Sequence, residues 1–285
     1  MLLLPVEKVG ITPTRFFEVL RLDALDPVLG GNKVFKLFGH QERALALGAV
    51  GLESLGGPFS NHLLALAEAG RRLALPTRAW VRGGDDVPEP AGLAALRVRG
   101  MTVMPASRTQ FSAWRTHSEW QEGGLLPDGW YRIPEGGGGE AGLAGASTLA
   151  ACVPHHTRVV ALSVGSGTTA AALHRALPHE VEIWAFPAIK GQSGNLHQRV
   201  LALAHSQAPP QRLKWITEPQ VARFGICPAW LISWMKEWHG QTGIEADTVY
   251  TSRLFWALTQ HLCLHPHPPE SVLAIHTGGL GWKSQ

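Results

Sequence analysis

The sequence predicts an α/β protein, with parallel-rich sheets flanked by helices. Three observations lead there. Short apolar runs alternate along the chain with longer runs of helical period. Strand-like runs end on glycine turns that lead straight into helix caps, as in Gly56-Gly57-Pro58-Phe59-Ser60-Asn61. With 285 residues, 45% of them hydrophobic, the chain can bury one large core or two modest ones.

In chain order, Asn32 can cap a helix from about Lys33 to Leu47, with Gly48 as its stop. The apolar run Val50–Leu55 meets Gly56-Gly57-Pro58, and Ser60-Asn61 caps a helix reaching about Leu73. Ala79–Val81, Thr102–Met104 and Trp130–Ile133 read as strands, with helical stretches at Ala91–Val98 and Gln110–Gln121 between them. The glycine run at 136–139 reads either as a connector or as a loop facing a cofactor. Val159–Val164 is a buried strand, and the helix Thr168–Leu177 follows it. Val181–Phe186 and a helix near Asn195–His205 repeat the unit. Pro228 opens a helix that carries Trp230, Trp234 and Trp238 on one face, a spacing that reads as packing before substrate lining. A helix at Arg253–His261 precedes the strand Val272–His276.

Several classes are set aside. The net charge is only +3 and no run of five basic residues exists, so no nucleic-acid groove is expected. The apolar stretch Met1-Leu2-Leu3-Leu4 is cut short by Pro5, no run approaches the length of a membrane span, and no membrane association is expected. Cys152, Cys227 and Cys263 are far apart, which argues against a disulfide framework or a zinc site and for the cytoplasm. His261 and His265 stand at helix spacing without an acidic partner, so no metal is expected. Lysine is scarce, with seven against 18 arginines, which draws attention to Lys33 and Lys36.

Five segments can carry chemistry. In Gly30-Gly31-Asn32-Lys33-Val34-Phe35-Lys36, two glycines allow close backbone approach. Lys33 sits at the positive end of a helix, which favours the neutral amine that attacks carbonyl groups, and Lys36 lies about one turn later. Both could equally be surface lysines on an amphipathic helix. The Ser60-Asn61 turn can bind an anion or simply cap a helix. Ser163-Val164-Gly165-Ser166-Gly167-Thr168-Thr169-Ala170, between strand and helix, forms a phosphate nest of glycines and hydroxyls. It lacks the lysine of a nucleotide P-loop, and no acidic residue follows the next strand to hold a ribose, so a single-phosphate cofactor suits it at least as well. Thr248-Val249-Tyr250-Thr251-Ser252 and His276-Thr277-Gly278-Gly279 are weak signals alone.

Taken in order from Arg21 to Gly281, these segments resemble the fold type II family of pyridoxal-phosphate (PLP) enzymes, tryptophan synthase beta-like in fold. The resemblance is to the branch of 1-aminocyclopropane-1-carboxylate (ACC) deaminase and D-cysteine desulfhydrase. Ile133-Pro134-Glu135-Gly136-Gly137 is also similar to that family's Pro-x-Gly-Gly loop. The resemblance implies PLP held covalently by Lys33, with Lys36 near the phosphate and Gly165, Ser166, Gly167, Thr168 and Thr169 wrapping it. It implies Asn61 at the ring oxygen, Thr251 at the pyridine nitrogen, and Ser60 and Tyr250 facing substrate. It further implies a large domain from residues 1–44 and 146–285, a small domain from 45–145, and PLP in the cleft between them.

Departures from the family pattern bear on substrate. The deaminases carry a carboxylate where Thr251 stands; the desulfhydrases carry threonine. A second deaminase tyrosine is matched by Phe224, and the glutamine before Ser-Asn by Phe59. The chain is also shorter than its relatives around Arg82–Met101. The expected activity is elimination or deamination of a small amino acid, releasing ammonia and a 2-keto acid, as in D-cysteine desulfhydrase or ACC deaminase. The expected partners are that substrate and a second copy of the chain. The alternatives are a fold type II racemase and a PLP-binding protein without turnover.

Overall fold

The computed structural model describes residues 4–83, 89–188, 193–205, 209–216, 226–265 and 269–282. The chain forms two compact units. Met1–Asn32 and Ser147–Leu280 make the first; Lys33–Ala146 and Gly281–Gln285 make the second.

The first unit begins with an antiparallel hairpin of β1 (Val6–Thr12) and β2 (Arg15–Arg21). The sequence reading places no element before Asn32. The reason is physical: in β1 only Val9 is fully buried, with Ile11 partly so, and that alternation is too short to mark an edge strand. The helix α1 (Asn32–Ala46) follows, and Gly48 after it has φ +67°, a left-handed residue just past the helix end.

The second unit alternates strand and helix. β3 (Gly51–Gly56), α2 (Asn61–Leu73), β4 (Thr77–Arg82), α3 (Ala91–Val98) and β5 (Met101–Ala106) come first. The helix expected over Gln110–Gln121 is two helices, α4 (Arg108–Thr116) and α5 (Ser118–Glu122). Ser107 and Gln110 form a capping box that starts α4 earlier. His117 is extended, and the Thr116 hydroxyl donates back to Ala113 O, which ends it. β6 (Gly124–Leu125), β7 (Trp130–Arg132) and α6 (Gly139–Ser147) complete the unit. The sheet runs β5-β4-β3-β7-β6, parallel except for β6 against β7.

The chain returns to the first unit with β8 (Val159–Val164), α7 (Thr168–Ala176), β9 (Glu182–Pro187), α8 (Ser193–Ala204) and β10 (Leu213–Trp215). It closes with α9 (Ala229–Thr242), α10 (Thr251–Leu264) and β11 (Val272–His276). The six strands run β1-β2-β11-β8-β9-β10, all parallel except the hairpin. Both β8 and β11 are buried along their whole length, as expected of central parallel strands. The protein is thus the α/β fold with parallel-rich sheets that the sequence predicts.

Two of the three α9 tryptophans, Trp234 and Trp238, pack onto each other in the core, whereas Trp230 is exposed. Trp238 stacks on Trp234 at 5.2 Å, on Phe255 at 4.9 Å and on Phe17 at 6.2 Å between ring centroids. Trp230 lies 4.9 Å from Trp256. The Trp238 cluster belongs to the core of the first unit, on which β1 and β2 also rest. Among the described residues, no helix is long and apolar enough to cross a membrane.

Candidate active site

The sequence-selected residues fall into two groups, one in each unit. In the first unit, the turn after β8 delivers Gly165, Ser166 and Gly167 to the start of α7. Gly167 has φ +89°, which a side chain would resist, and α7 carries no side-chain cap. The amides of its first turn therefore stay available as donors to a ligand, at the positive end of the helix. Thr168 and Thr169 are buried there; Ser166 Oγ and Thr168 Oγ1 share a hydrogen bond at 3.3 Å. Asn32, expected as a helix cap, donates from Nδ2 to Thr169 Oγ1 at 2.9 Å.

The glycine pair before Lys33 has a close neighbour in protein. Gly31 has φ +64°, and a Cβ there would overlap the Thr277 carbonyl. Asn32 N–H donates to that same carbonyl at 3.2 Å. Two separate sequence motifs, the one before Lys33 and the one after His276, are thus packed back to back.

Tyr250 and Thr251 stand at the start of α10. The Tyr250 ring covers Gly165: a Cβ on that glycine would meet Cε1 at 3.0 Å and the hydroxyl at 3.3 Å. Thr251 is fully buried. Its hydroxyl donates to Asp247 Oδ1 at 2.6 Å and accepts from Asp247 N–H at 2.7 Å. Asp247 is absent from the sequence-selected set. The signal for it was the spacing of an acidic residue four positions ahead of a helix-starting threonine.

In the second unit, Lys33 is the second residue of α1 and half-buried. Lys36 is buried one turn on, and its Nζ donates to Gly136 O at 3.2 Å. Burial, and then the charge of Lys33, hold the Lys36 ammonium well below the usual lysine range. Among the described residues no carboxylate pairs with it. His40 lies a further turn along. Its Nε2 is 2.9 Å from Gly138 O and its Nδ1 is 3.4 Å from the Tyr131 hydroxyl. Burial lowers His40 to about 4, against the opposing hydrogen bonds to Gly138 and Gly137. The glycine run at 136–138 therefore turns carbonyls onto buried side chains of α1, and does not behave as a loose connector.

Ser60 caps α2, accepting from Leu63 N–H at 3.3 Å, and half-buried Asn61 is the first helical residue. His62 is fully buried behind them. Ser54 gives its one hydroxyl proton to Ile133 O at 2.8 Å, so it accepts from His62 Nε2–H at 2.9 Å. That assigns the tautomer and leaves His62 Nδ1 a buried lone pair without a partner. Burial, followed by the charges of Lys33, His40 and Lys36, pushes His62 well below the usual histidine range. His40 and His62 were missed in the sequence, although one stands four residues after Lys36 and the other directly follows Asn61. Phe59 is exposed and meets Trp282 edge-on at 5.7 Å. Phe224 lies outside the described residues.

No family model matches the chain. Solved structures do. An ACC deaminase homologue aligns with a TM-score of 0.80 and 21% identity, over 99% of this chain and 90% of that one. A pyridoxal 5'-phosphate-dependent aspartate racemase aligns at 0.67 and 14% identity, over 97% and 90%. A hydrogen sulfide-producing enzyme from Fusobacterium nucleatum aligns at 0.65 and 10% identity, over 97% and 95%. The chain has the fold of these proteins, fold type II, as expected from the sequence.

Proposed function

We propose that the protein is a PLP-dependent lyase or deaminase of a small amino acid, releasing ammonia and a 2-keto acid. What supports this reading is the chemistry of each group by itself. The first unit offers an uncapped helix start lined by Gly165–Thr169, and the second offers Lys33 beside a buried Lys36 that no carboxylate among the described residues neutralises.

These residues fit PLP in kind. The cofactor's phosphate matches the free amides of α7, and the buried Lys36 charge calls for an anion. When bound, the cofactor supplies an aldehyde for an amine and an electron sink for the bonds at the substrate α-carbon. Lys33 Nζ is the amine that would hold it, and as a free amine it would be the base for the substrate α-proton. Ser60 Oγ keeps its own proton for donation, because its cap bond to Leu63 uses only a lone pair. Asn61 orients the ring oxygen, and Tyr250 sets the substrate boundary above Gly165. Threonine rather than a carboxylate at position 251, together with the likeness to a sulfide-producing enzyme, supports D-cysteine as the first substrate to try. A second copy of the chain as partner rests on the family resemblance, and sedimentation tests it.

Purified protein mixed with PLP should develop the visible absorbance of a lysine-bound cofactor. Borohydride reduction followed by peptide mass analysis should place the adduct on Lys33, and Lys33→Ala should abolish it. Absence of that band with wild-type protein overturns the cofactor assignment. A panel of D- and L-amino acids with ACC, read for keto acid, sulfide and inverted enantiomer, separates elimination, ring opening and racemisation. Bound PLP with no product across the panel would favour a binding protein.

A further inference from the structure

One side of α9 carries more chemistry than packing requires. Trp234, Glu237, Trp238 and Gln241 recur at spacings of three and four, so they share a stripe along the helix. Alternation along the edge strand β1 turns Glu7, Val9 and Ile11 to one face of the hairpin. These two sets of residues line a common cavity of about 340 Å³, a volume in the range of small-molecule sites. The cavity lies wholly within the first unit. Solvent reaches its walls: Glu237 and Gln241 are exposed, Trp234 is half-buried, and the Glu7 side chain is 41% exposed.

The charge in this cavity is negative. Glu237 makes no ion pair or hydrogen bond among the described residues. Glu7 accepts from Arg21 Nη1, but the same guanidinium also gives Nε and Nη2 to Asp23 at 2.9 and 2.6 Å. One cation is thus divided between two carboxylates. Lys8 borders the cavity through its place on β1, yet its ammonium lies over the Phe16 ring, 3.5 Å from the centroid. Lys8 and the pair Gly10–Phe16 have the other parity of the hairpin, so that ammonium sits on the opposite face from Glu7. Lys236, next to Glu237 on α9, is not part of the lining. Beside the carboxylates stands an aromatic wall, the Trp234 indole, stacked at 5.2 Å on Trp238.

We propose that this cavity is a binding site for a small primary alkylammonium ion. Its three N–H donors suit Glu237, the second carboxylate Glu7 and the Gln241 carbonyl, as charge-assisted or neutral acceptors. An indole beside the carboxylates attracts an organic cation through its π face and favours it over a hydrated metal ion. Its short alkyl chain is matched by Val9, Ile11 and Trp234. An amino acid fits less well, because its α-carboxylate would approach Glu7 and Glu237 and be repelled. The ligand class is therefore an amine that has no carboxylate. Neither PLP nor any residue assigned to it enters this site, so its occupancy is independent of the cofactor reading.

The test is calorimetric titration of the full-length protein with n-butylammonium chloride at constant ionic strength. Wild type should show a single saturable site with Kd below about 1 mM. Two controls isolate the chemistry: 1-butanol replaces the ammonium by a hydroxyl, and norvaline adds a carboxylate to the same amine. Both should bind at least roughly tenfold more weakly. Glu237→Gln, at an exposed position where folding is not at stake, should weaken n-butylammonium roughly tenfold and remove its advantage over 1-butanol. Trp234→Ala should weaken it too, while Trp234→Phe, which keeps an aromatic face, should hold most of the affinity. Thermal melts without ligand verify that each variant is folded. No saturable binding by wild type up to about 10 mM overturns the proposal. So does equal affinity for 1-butanol or norvaline, or an affinity that Glu237→Gln leaves unchanged.

Discussion

The Tyr250 ring lies directly on Gly165, so close that a single added methyl would meet it at 3.0 Å. The two residues are 85 positions apart in the chain, and their contact couples the turn after β8 to the start of α10. Gly165→Ala should displace the ring by a few tenths of an ångström at a stability cost of about 1 kcal/mol. Activity should suffer more, with kcat/KM falling on the order of tenfold to a hundredfold, as misplacement of a positioning group does. Steady-state kinetics beside a denaturant melt would separate the two effects.

The turn before Lys33 makes a sharper steric demand. Gly31→Ala would drive a methyl into the Thr277 carbonyl and force a side chain into φ +64°. The expected loss is about 3 kcal/mol, at the upper end of ordinary single substitutions. Urea unfolding of the cofactor-free protein measures it, and a loss under about 1 kcal/mol would contradict the packing described.

Acid should destabilise the protein through its buried histidines. His40 in the folded state sits at about 4, below the 6.5 of the unfolded chain. Between those values the unfolded chain binds the proton and the folded one does not, so stability falls as pH drops from 6.5 to 4 and levels off below. The contribution of His40 is about 3 kcal/mol. His62 acts in the same direction. His40→Gln should flatten the acid limb by about that amount relative to wild type, measured as the difference between denaturation free energies at pH 7 and pH 4.

Trp238 separates packing from catalysis. It is buried against Phe17, Trp234 and Phe255. Trp238→Ala should cost about 3–5 kcal/mol while the cofactor absorbance of the protein that remains folded is unchanged. A variant of normal stability with altered substrate preference would instead make the α9 face part of the substrate boundary.

The central strands were legible because they are buried on both faces: β8 and β11 are apolar but for Ser163 and the final His276, and match the expected limits residue for residue. The helix α3 was equally plain. The hairpin of β1 and β2 was not, since an edge strand with one buried residue carries little pattern. The glycine run at 136–139 could be read two ways, because nothing local says that Gly136 and Gly138 carbonyls meet Lys36 and His40 a hundred residues earlier. For the same reason Thr251 could be named and Asp247 could not be weighed: the sequence shows the hydroxyl, but only the fold shows where its proton goes.

The strand order of the first sheet has a consequence for biosynthesis. β2 is paired on one side by β1 and on the other by β11, with Glu18 opposite Leu273 and Leu20 opposite Ile275. On the ribosome, the hairpin emerges about 250 residues before its second partner. At elongation rates of 5–20 residues per second it waits roughly 10–50 s with one row of amides and carbonyls open. The sheet of the second unit, whose strands all lie between residues 51 and 132, is synthesised well within that interval. Nascent chains stalled before Val272 should accordingly hold the complete second sheet while the first is still open, and that exposed strand edge is where chaperones or self-association would act.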